Sequence, residues 1–293
     1  MAGEKIRFGV VKINHGHIYA QVETLLDAGA QCAGFYAPEE ALAARFAARY
    51  PDVPRVSDPK VLLEDESVQL ITTSAIPCER GPLGIAAMKH GKDFLTDKPG
   101  FTTLEQLAEA RQVQAETDRI YAVYFGRYDS QSTVKAGELV AQGAIGRVVE
   151  FVGLGPHRAG LDNRPDWFFD REKYGGVLVD IASHQFDHFL YFTNSVEAEI
   201  VSSQVANYQH PEHPELEEIG EVMIRGNRGT ALIRVDWYSP EGLGTWGDTR
   251  LIIVGTAGYI EVRPTIDLAG RSGSDHLFLV DQEDTRYIDC QEV

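Results

Sequence analysis

The sequence predicts an α/β protein in two parts: a doubly wound parallel sheet over residues 1–125, then an α+β part over 126–293 with a large, open, mostly antiparallel sheet. Three observations predict it. Up to residue 125, short β-rich runs alternate with longer helical patterns, and strands joined through helices form parallel βαβ crossovers covered on both faces. From residue 200 onward, strand follows strand across short turns, which is the pattern of antiparallel neighbours. Between the two, one helical stretch at 178–192 follows a lone β-rich run at 147–154.

Each element has its own signal. An apolar run at 6–11 gives the first strand, and a helix over 19–27 ends at Gly29. A second strand at 31–36 leads to an alanine-rich helix over 39–50 that Pro51 stops. Strands at 68–72 and 93–95 flank helical spacing at 84–90, closed by Gly91. A strongly amphipathic helix over 104–117 opens on the cap hydroxyls of Thr102 and Thr103 with Glu105 in its first turn. The fifth strand spans 120–125, and a helix over 129–142 opens the second part. There the strands are read at 200–208, 221–225, 230–238, 250–255, 259–263 and 277–280, with turns at 226–229 and 255–258.

Composition limits the partners. With 44 acidic against 27 basic residues the formal charge is −17, and such a surface repels phosphate backbones and anionic lipid. Neither nucleic acid nor membrane is therefore an expected partner. No apolar run is long enough to span a bilayer. The N-terminus enters its first strand without the apolar stretch of a secretory signal. The three scattered cysteines, Cys32, Cys78 and Cys290, form neither a metal knuckle nor a disulfide framework, which fits the reducing cytoplasm.

In a doubly wound domain the turn after the first strand receives phosphates on glycines at a helix N-terminus. Here the turn reads Lys12-Ile13-Asn14-His15-Gly16-His17, with Lys12, Asn14 and His17 at the three usual glycine positions. The position after the second strand that would hold a ribose-binding acid is Ala37, although Glu39 and Glu40 follow. Other segments speak more clearly. Asp97-Lys98-Pro99 stands just past the fourth strand, at the carboxyl end where ligands of such sheets bind. Glycines at 175 and 176 precede a helix with Asp180 and His184 four residues apart on one face. Histidine as a residue type can change protonation near neutral pH, so His184 is a candidate to exchange a proton with a hydroxyl, and Asp180 can orient it or hold a neighbouring hydroxyl.

Together these segments resemble the glucose–fructose oxidoreductase/inositol dehydrogenase (Gfo/Idh/MocA) family. Asp97, Lys98 and Pro99 match its Glu-Lys-Pro motif, and Gly175, Gly176, Asp180 and His184 match its Gly-Gly-x-x-x-Asp-x-x-x-His motif. The resemblance covers nearly the whole chain, and chains of the family usually run on past the last strand into a further helical segment. It implies a Rossmann-type domain binding NAD or NADP, and hydride transfer between nicotinamide and a secondary alcohol or ketone of a sugar or cyclitol. Lys98, Asp180 and His184 are then the expected catalytic residues. The dinucleotide is expected over Ile13, Asn14 and His15, beside Thr72, Thr73, Ser74, Asp97 and Lys98. Tyr124 and Arg127, just past the fifth strand, and His157, Arg158 and Trp167 from a polar, aromatic loop are expected to join Asp180 and His184 around the substrate. The open face of the second sheet needs cover, which a homodimer or homotetramer supplies.

Two other readings share these residues. Asp180, His184 and His188, with His15 and His17 from another loop, suggest a metal-dependent hydrolase or isomerase. Positions eight apart on a helix lie about 12 Å apart, too far for one ion, so no metal ligand set is expected. The third reading is a non-catalytic sensor that keeps the fold.

Overall fold

The computed structural model describes residues 5–126 and 130–291; Arg127 lies outside them. The chain forms two compact units, Met1–Tyr124 with Asp170–Gly175, and Phe125–Phe169 with Gly176–Val293.

The first unit is a doubly wound sheet. Its strands are β1 (Arg7–Val11), β2 (Gln31–Tyr36), β3 (Leu70–Thr73), β4 (Asp93–Asp97) and β5 (Tyr121–Tyr124). They lie in the order β2-β1-β3-β4-β5, and every neighbouring pair is parallel. The helices are α1 (Ile18–Asp27), α2 (Glu40–Arg49), the single turn α3 (Lys60–Leu63), α4 (Pro77–Lys89) and α5 (Leu104–Thr117). Residues 8–11 of β1 are all buried, because both faces of a parallel sheet are covered. Phe8, Val10, Phe35 and Phe46 fill one core cluster with α1 and α2, and Ile71, Ala87 and Phe94 belong to another. Full burial of such a side chain contributes roughly 1.5–3 kcal/mol.

Two helices differ from the sequence reading. α4 begins seven residues earlier than the spacing at 84–90 suggests, with Pro77 in its first turn and Pro82 inside it. Pro82 has no N–H for the carbonyl of Cys78, and Gln106 Nε2 supplies that hydrogen bond instead at 2.9 Å. α5 starts as expected, Thr103 Oγ1 capping the N–H of Gln106 at 3.2 Å, but its fully buried residues are only Ala110 and Val113. Its apolar stripe is therefore narrow rather than strongly amphipathic. Another short turn of this unit, α7 (Arg171–Tyr174), packs against α4 and is capped by the Asp170 carboxylate.

The second unit opens with α6 (Gln131–Ala141) and β6 (Val148–Pro156). After them come α8 (Val177–Asp180), α9 (Ala182–Thr193), β7 (Ala198–Ala206), β8 (Ile219–Gly226), β9 (Thr230–Asp236), β10 (Arg250–Gly255), β11 (Tyr259–Arg263), β12 (His276–Val280) and β13 (Thr285–Asp289). The eight-stranded order is β13-β12-β11-β10-β6-β9-β8-β7, antiparallel except where β6 meets β9. α9 packs on β6 and β9. It comes close because Gly153 and Gly155 leave room: a Cβ at either would fall 2.7–2.8 Å from the Gln185 side chain. The opposite face carries exposed Met223 and Leu232, paired across β8 and β9. With Val152, Leu154 and Arg234 they line a groove of about 490 Å³. β13, which the sequence reading lacks, pairs with β12 at the sheet edge.

Candidate active site

The residues expected to face the dinucleotide come together at the carboxyl end of the first sheet. Lys12, at a position glycine usually holds, adopts a φ of 61°, so the turn keeps the left-handed backbone that glycine would favour. Its ammonium pairs with Glu79 at 2.8 Å. The turn is fastened to the segment after β3: the His15 N–H donates to the Ser74 carbonyl at 3.0 Å, and Ser74 Oγ donates to the His15 carbonyl at 2.7 Å. Thr73 Oγ1 lies 3.3 Å from the Lys12 carbonyl, and Thr72 Oγ1 donates to Gln21 at 2.8 Å. Ile13 is buried in the core. Asn14 is half-buried, its Nδ2 donating to Glu39 at 2.8 Å.

Asp97 is the centre of this region. It ends β4, is 1% exposed, and lies directly opposite Tyr124 in the register of β5. Its Oδ1 accepts hydrogen bonds from the Lys98 N–H at 2.8 Å and His17 Nδ1 at 2.9 Å. Its Oδ2 accepts one from Arg80 at 3.2 Å and lies 3.5 Å from His15 Nδ1. Burial pushes the Asp97 carboxyl upward in pKa, but the His17 hydrogen bond and the charges of Arg80, His17 and Lys98 reverse this and hold it well below the usual carboxylate range. Burial and neighbouring His17 push His15 down to about 3, so its imidazole is neutral at physiological pH.

Arg80 is a site residue that the sequence reading missed. It is 1% exposed on α4. Nε donates to the Ala75 carbonyl at 2.7 Å, and Nη1 donates to the carbonyls of Lys98 and Pro99. With its bond to Asp97, the guanidinium clamps the whole Asp97-Lys98-Pro99 turn, whose Lys98–Pro99 peptide is cis. The available signal was a Glu79-Arg80 pair at the head of an otherwise small and apolar stretch. Lys98 itself is 7% exposed.

In the second unit the expected single helix through Asp180 and His184 is broken. Asp180 ends α8 and His184 stands in the first turn of α9, with Ile181 between the two helices. Ser183 Oγ donates to the Asp180 carbonyl at 3.1 Å, and the His184 N–H goes to the carbonyl of Ile181 instead. A side-chain hydroxyl competing for a helix carbonyl produces such a break. Ile181 keeps a right-handed helical backbone through the junction, with φ −97° and ψ −47°. Gly175 and Gly176 have φ values of 90° and 91°, a backbone that demands glycine. The Glu217 carboxylate accepts the N–H of Val177 at 2.8 Å. The His184 ring meets Phe125 edge-on at 5.9 Å.

The loop residues take different places. His157 lies edge-on to Trp237 at 5.8 Å, and Trp167 packs against Phe168 and the core. Arg158 is engaged by its own fold, with Nη2 donating to the Thr245 carbonyl at 2.9 Å and Nη1 pairing with Glu241 at 3.3 Å. His188 is buried, its ring against Phe151 and Phe192, so it packs the core rather than continuing a ligand series. His15 and His17 gather instead around Asp97, in a group the sequence reading did not assemble. Among the described residues, no helix is long and apolar enough to cross a membrane.

The dinucleotide fits this framework. α1 begins at the carboxyl end of β1, and a Cβ at Gly16 would meet nothing within 4 Å, so the outer side of the turn is open. Residues 7–125 match the model of an oxidoreductase family with an NAD-binding Rossmann fold, and residues 133–261 match that of the GFO/IDH/MocA C-terminal domain. The chain is similar to the crystal structure named "putative oxidoreductase" from Erwinia carotovora atroseptica SCRI1043, at 45% identity and a TM-score of 0.94, over 97% of this chain and 85% of that one. It is 32% identical to uncharacterized oxidoreductase YdgJ of Escherichia coli over 145 residues, 48% of this chain and 40% of the relative. It is 26% identical to scyllo-inositol 2-dehydrogenase (NAD(+)) of Bacillus subtilis over 213 residues, 69% of this chain and 57% of the relative. The match thus spans about half the length of these curated relatives. The chain belongs to the Gfo/Idh/MocA family of oxidoreductases, with an NAD-binding Rossmann domain at its N-terminal end.

Proposed function

We propose that this chain is an NAD(P)-dependent dehydrogenase or reductase that interconverts a secondary alcohol and a ketone on a sugar, cyclitol or related polyol. The observation that carries the reading is the Asp97-Lys98 turn, buried and clamped by Arg80 at the carboxyl end of β4 in an NAD-binding domain. When bound, the nicotinamide accepts or gives the hydride. Ile13, Asn14 and His15 would bear the dinucleotide beside Thr72, Thr73, Ser74 and Asp97, with Glu39, held by Asn14, available to ribose hydroxyls. His184 would take the hydroxyl proton, which requires an approach of about 2.6–3.2 Å. Lys98 would stabilise the developing alkoxide, and Asp180 would hold a neighbouring hydroxyl, which favours polyhydroxylated substrates. Tyr124, His157 and Trp167, with Arg127 outside the described residues, would line the substrate, while Arg158 braces the 240–245 loop. The inositol dehydrogenase among the relatives supports a cyclitol or sugar.

The test is nicotinamide absorbance with NAD⁺ and NADP⁺ against a panel of cyclitols, hexoses, pentoses and monohydric alcohols. Turnover with at least one polyol and with no monohydric alcohol is expected. Equal turnover of simple alcohols, or none with any polyol, contradicts the proposal.

The apolar groove on the open sheet face supports a homodimer or a tetramer built from it, because Met223 and Leu232 stay exposed in the single chain. Light scattering at micromolar concentration should give at least twice the mass of one chain. Replacing both residues with lysine should give monomers. A monomeric unaltered protein refutes this arrangement.

A further inference from the structure

We propose that His15, His17 and Asp97 form a binding site for a divalent transition metal, with Zn²⁺ the ion it suits best. One ligand atom from each of His15, His17 and Asp97 lies within 4.8 Å of the other two. The two closest approaches to the carboxylate are 2.9 and 3.5 Å, spacings that donors around one small ion adopt. His15 Nδ1 accepts the N–H of His17 at 3.3 Å. That lone pair is the one a metal ion would take in place of the His17 N–H.

The surroundings suit a metal ligand. Asp97 is fixed by hydrogen bonds from Arg80 and from the Lys98 N–H, the outer contacts that orient a ligating carboxylate. The two imidazoles are exposed enough to admit an ion, with side-chain accessibilities of 34% and 47%. Three protein donors leave a coordination position for water. The positive charges of Arg80 and Lys98 oppose any cation, so the site selects ions that bind imidazole strongly and disfavours Mg²⁺ and Ca²⁺, which prefer oxygen cages. Ligation through His17 Nδ1 requires the hydrogen that this nitrogen directs at Asp97 to move to Nε2 of the same ring or to solvent. This site goes beyond the dinucleotide reading and does not rest on it.

The experiment is calorimetric titration of the full, chelator-stripped chain with Zn²⁺ alone, without nucleotide. One Zn²⁺ per chain with micromolar or tighter affinity is expected, weakened by about 100-fold or more in the His15→Ala/His17→Ala double variant. The same titration with Mg²⁺ should show no binding. Should the double variant fail to fold, proton NMR of the unaltered Co²⁺-loaded protein decides. Two imidazole resonances shifted by the paramagnetic ion support the site, and none overturns it. Absence of Zn²⁺ binding, or Zn²⁺ binding that survives both substitutions, also overturns it. NADH titration in excess chelator reads the dinucleotide separately, so either idea can fail without the other.

Discussion

Replacing His184 or Lys98 with alanine should lower turnover on the best polyol by about 10²–10⁴, while NADH still binds. The two losses have different origins. His184 is placed in the first turn of α9, and its removal takes away the group that exchanges the hydroxyl proton. A pH profile separates the roles, because the limb that reports His184 should vanish in His184→Ala and persist in Lys98→Ala. The loss in Lys98→Ala comes from charge stabilisation of the alkoxide, so lysine-to-arginine replacement should recover part of it. Steady-state kinetics with nicotinamide absorbance check both. Near-full turnover in both alanine variants would make these residues structural and the assigned chemistry wrong.

Arg80→Met should destabilise the protein by about 3–5 kcal/mol, the cost of leaving a buried carboxylate without its partner. Asp97 is 1% exposed and Arg80 is its buried guanidinium contact. The carbonyls of Ala75, Lys98 and Pro99 lose their donor at the same time. Methionine keeps much of the volume, so the loss measures polar contacts rather than a cavity. Urea denaturation followed by circular dichroism reads it as a lowered midpoint. The same variant should weaken NADH binding, since Asp97, beside which the dinucleotide is expected, is no longer clamped. A cost below about 1 kcal/mol, the range of exposed ion pairs, would mean that Asp97 is held by His17 and the Lys98 N–H without Arg80.

The first sheet was legible because burial on both faces leaves short apolar runs that only strands of that length explain. Residues 31–36 were read to their final limits. α4 was not, because Pro82 reads as a helix breaker, and the Gln106 amide that compensates it is 24 residues away in sequence from Pro82. β13 escaped for a different reason. Its residues 285–287 are exposed at a sheet edge, with no apolar alternation to mark them. The Lys98, Asp180 and His184 motifs could be read because the residues are few and closely spaced. Asp97, His15 and His17 meet across 80 or more residues of chain, so spacing alone cannot assemble them. The break at Ile181 turns on the Ser183 hydroxyl choosing a carbonyl, a local competition that helical periodicity does not record.

The central claim is that a turn holding Lys12, Asn14 and His17 in place of glycines still receives a nicotinamide dinucleotide. Calorimetry of the full chain with NAD⁺, NADH, NADP⁺ and NADPH in turn tests it most directly. One molecule per chain should bind for at least one of the four, with affinity lost when Asp97 is replaced by alanine. If none of the four binds at millimolar concentration, the chain keeps the fold without the cofactor, and the dehydrogenase reading fails.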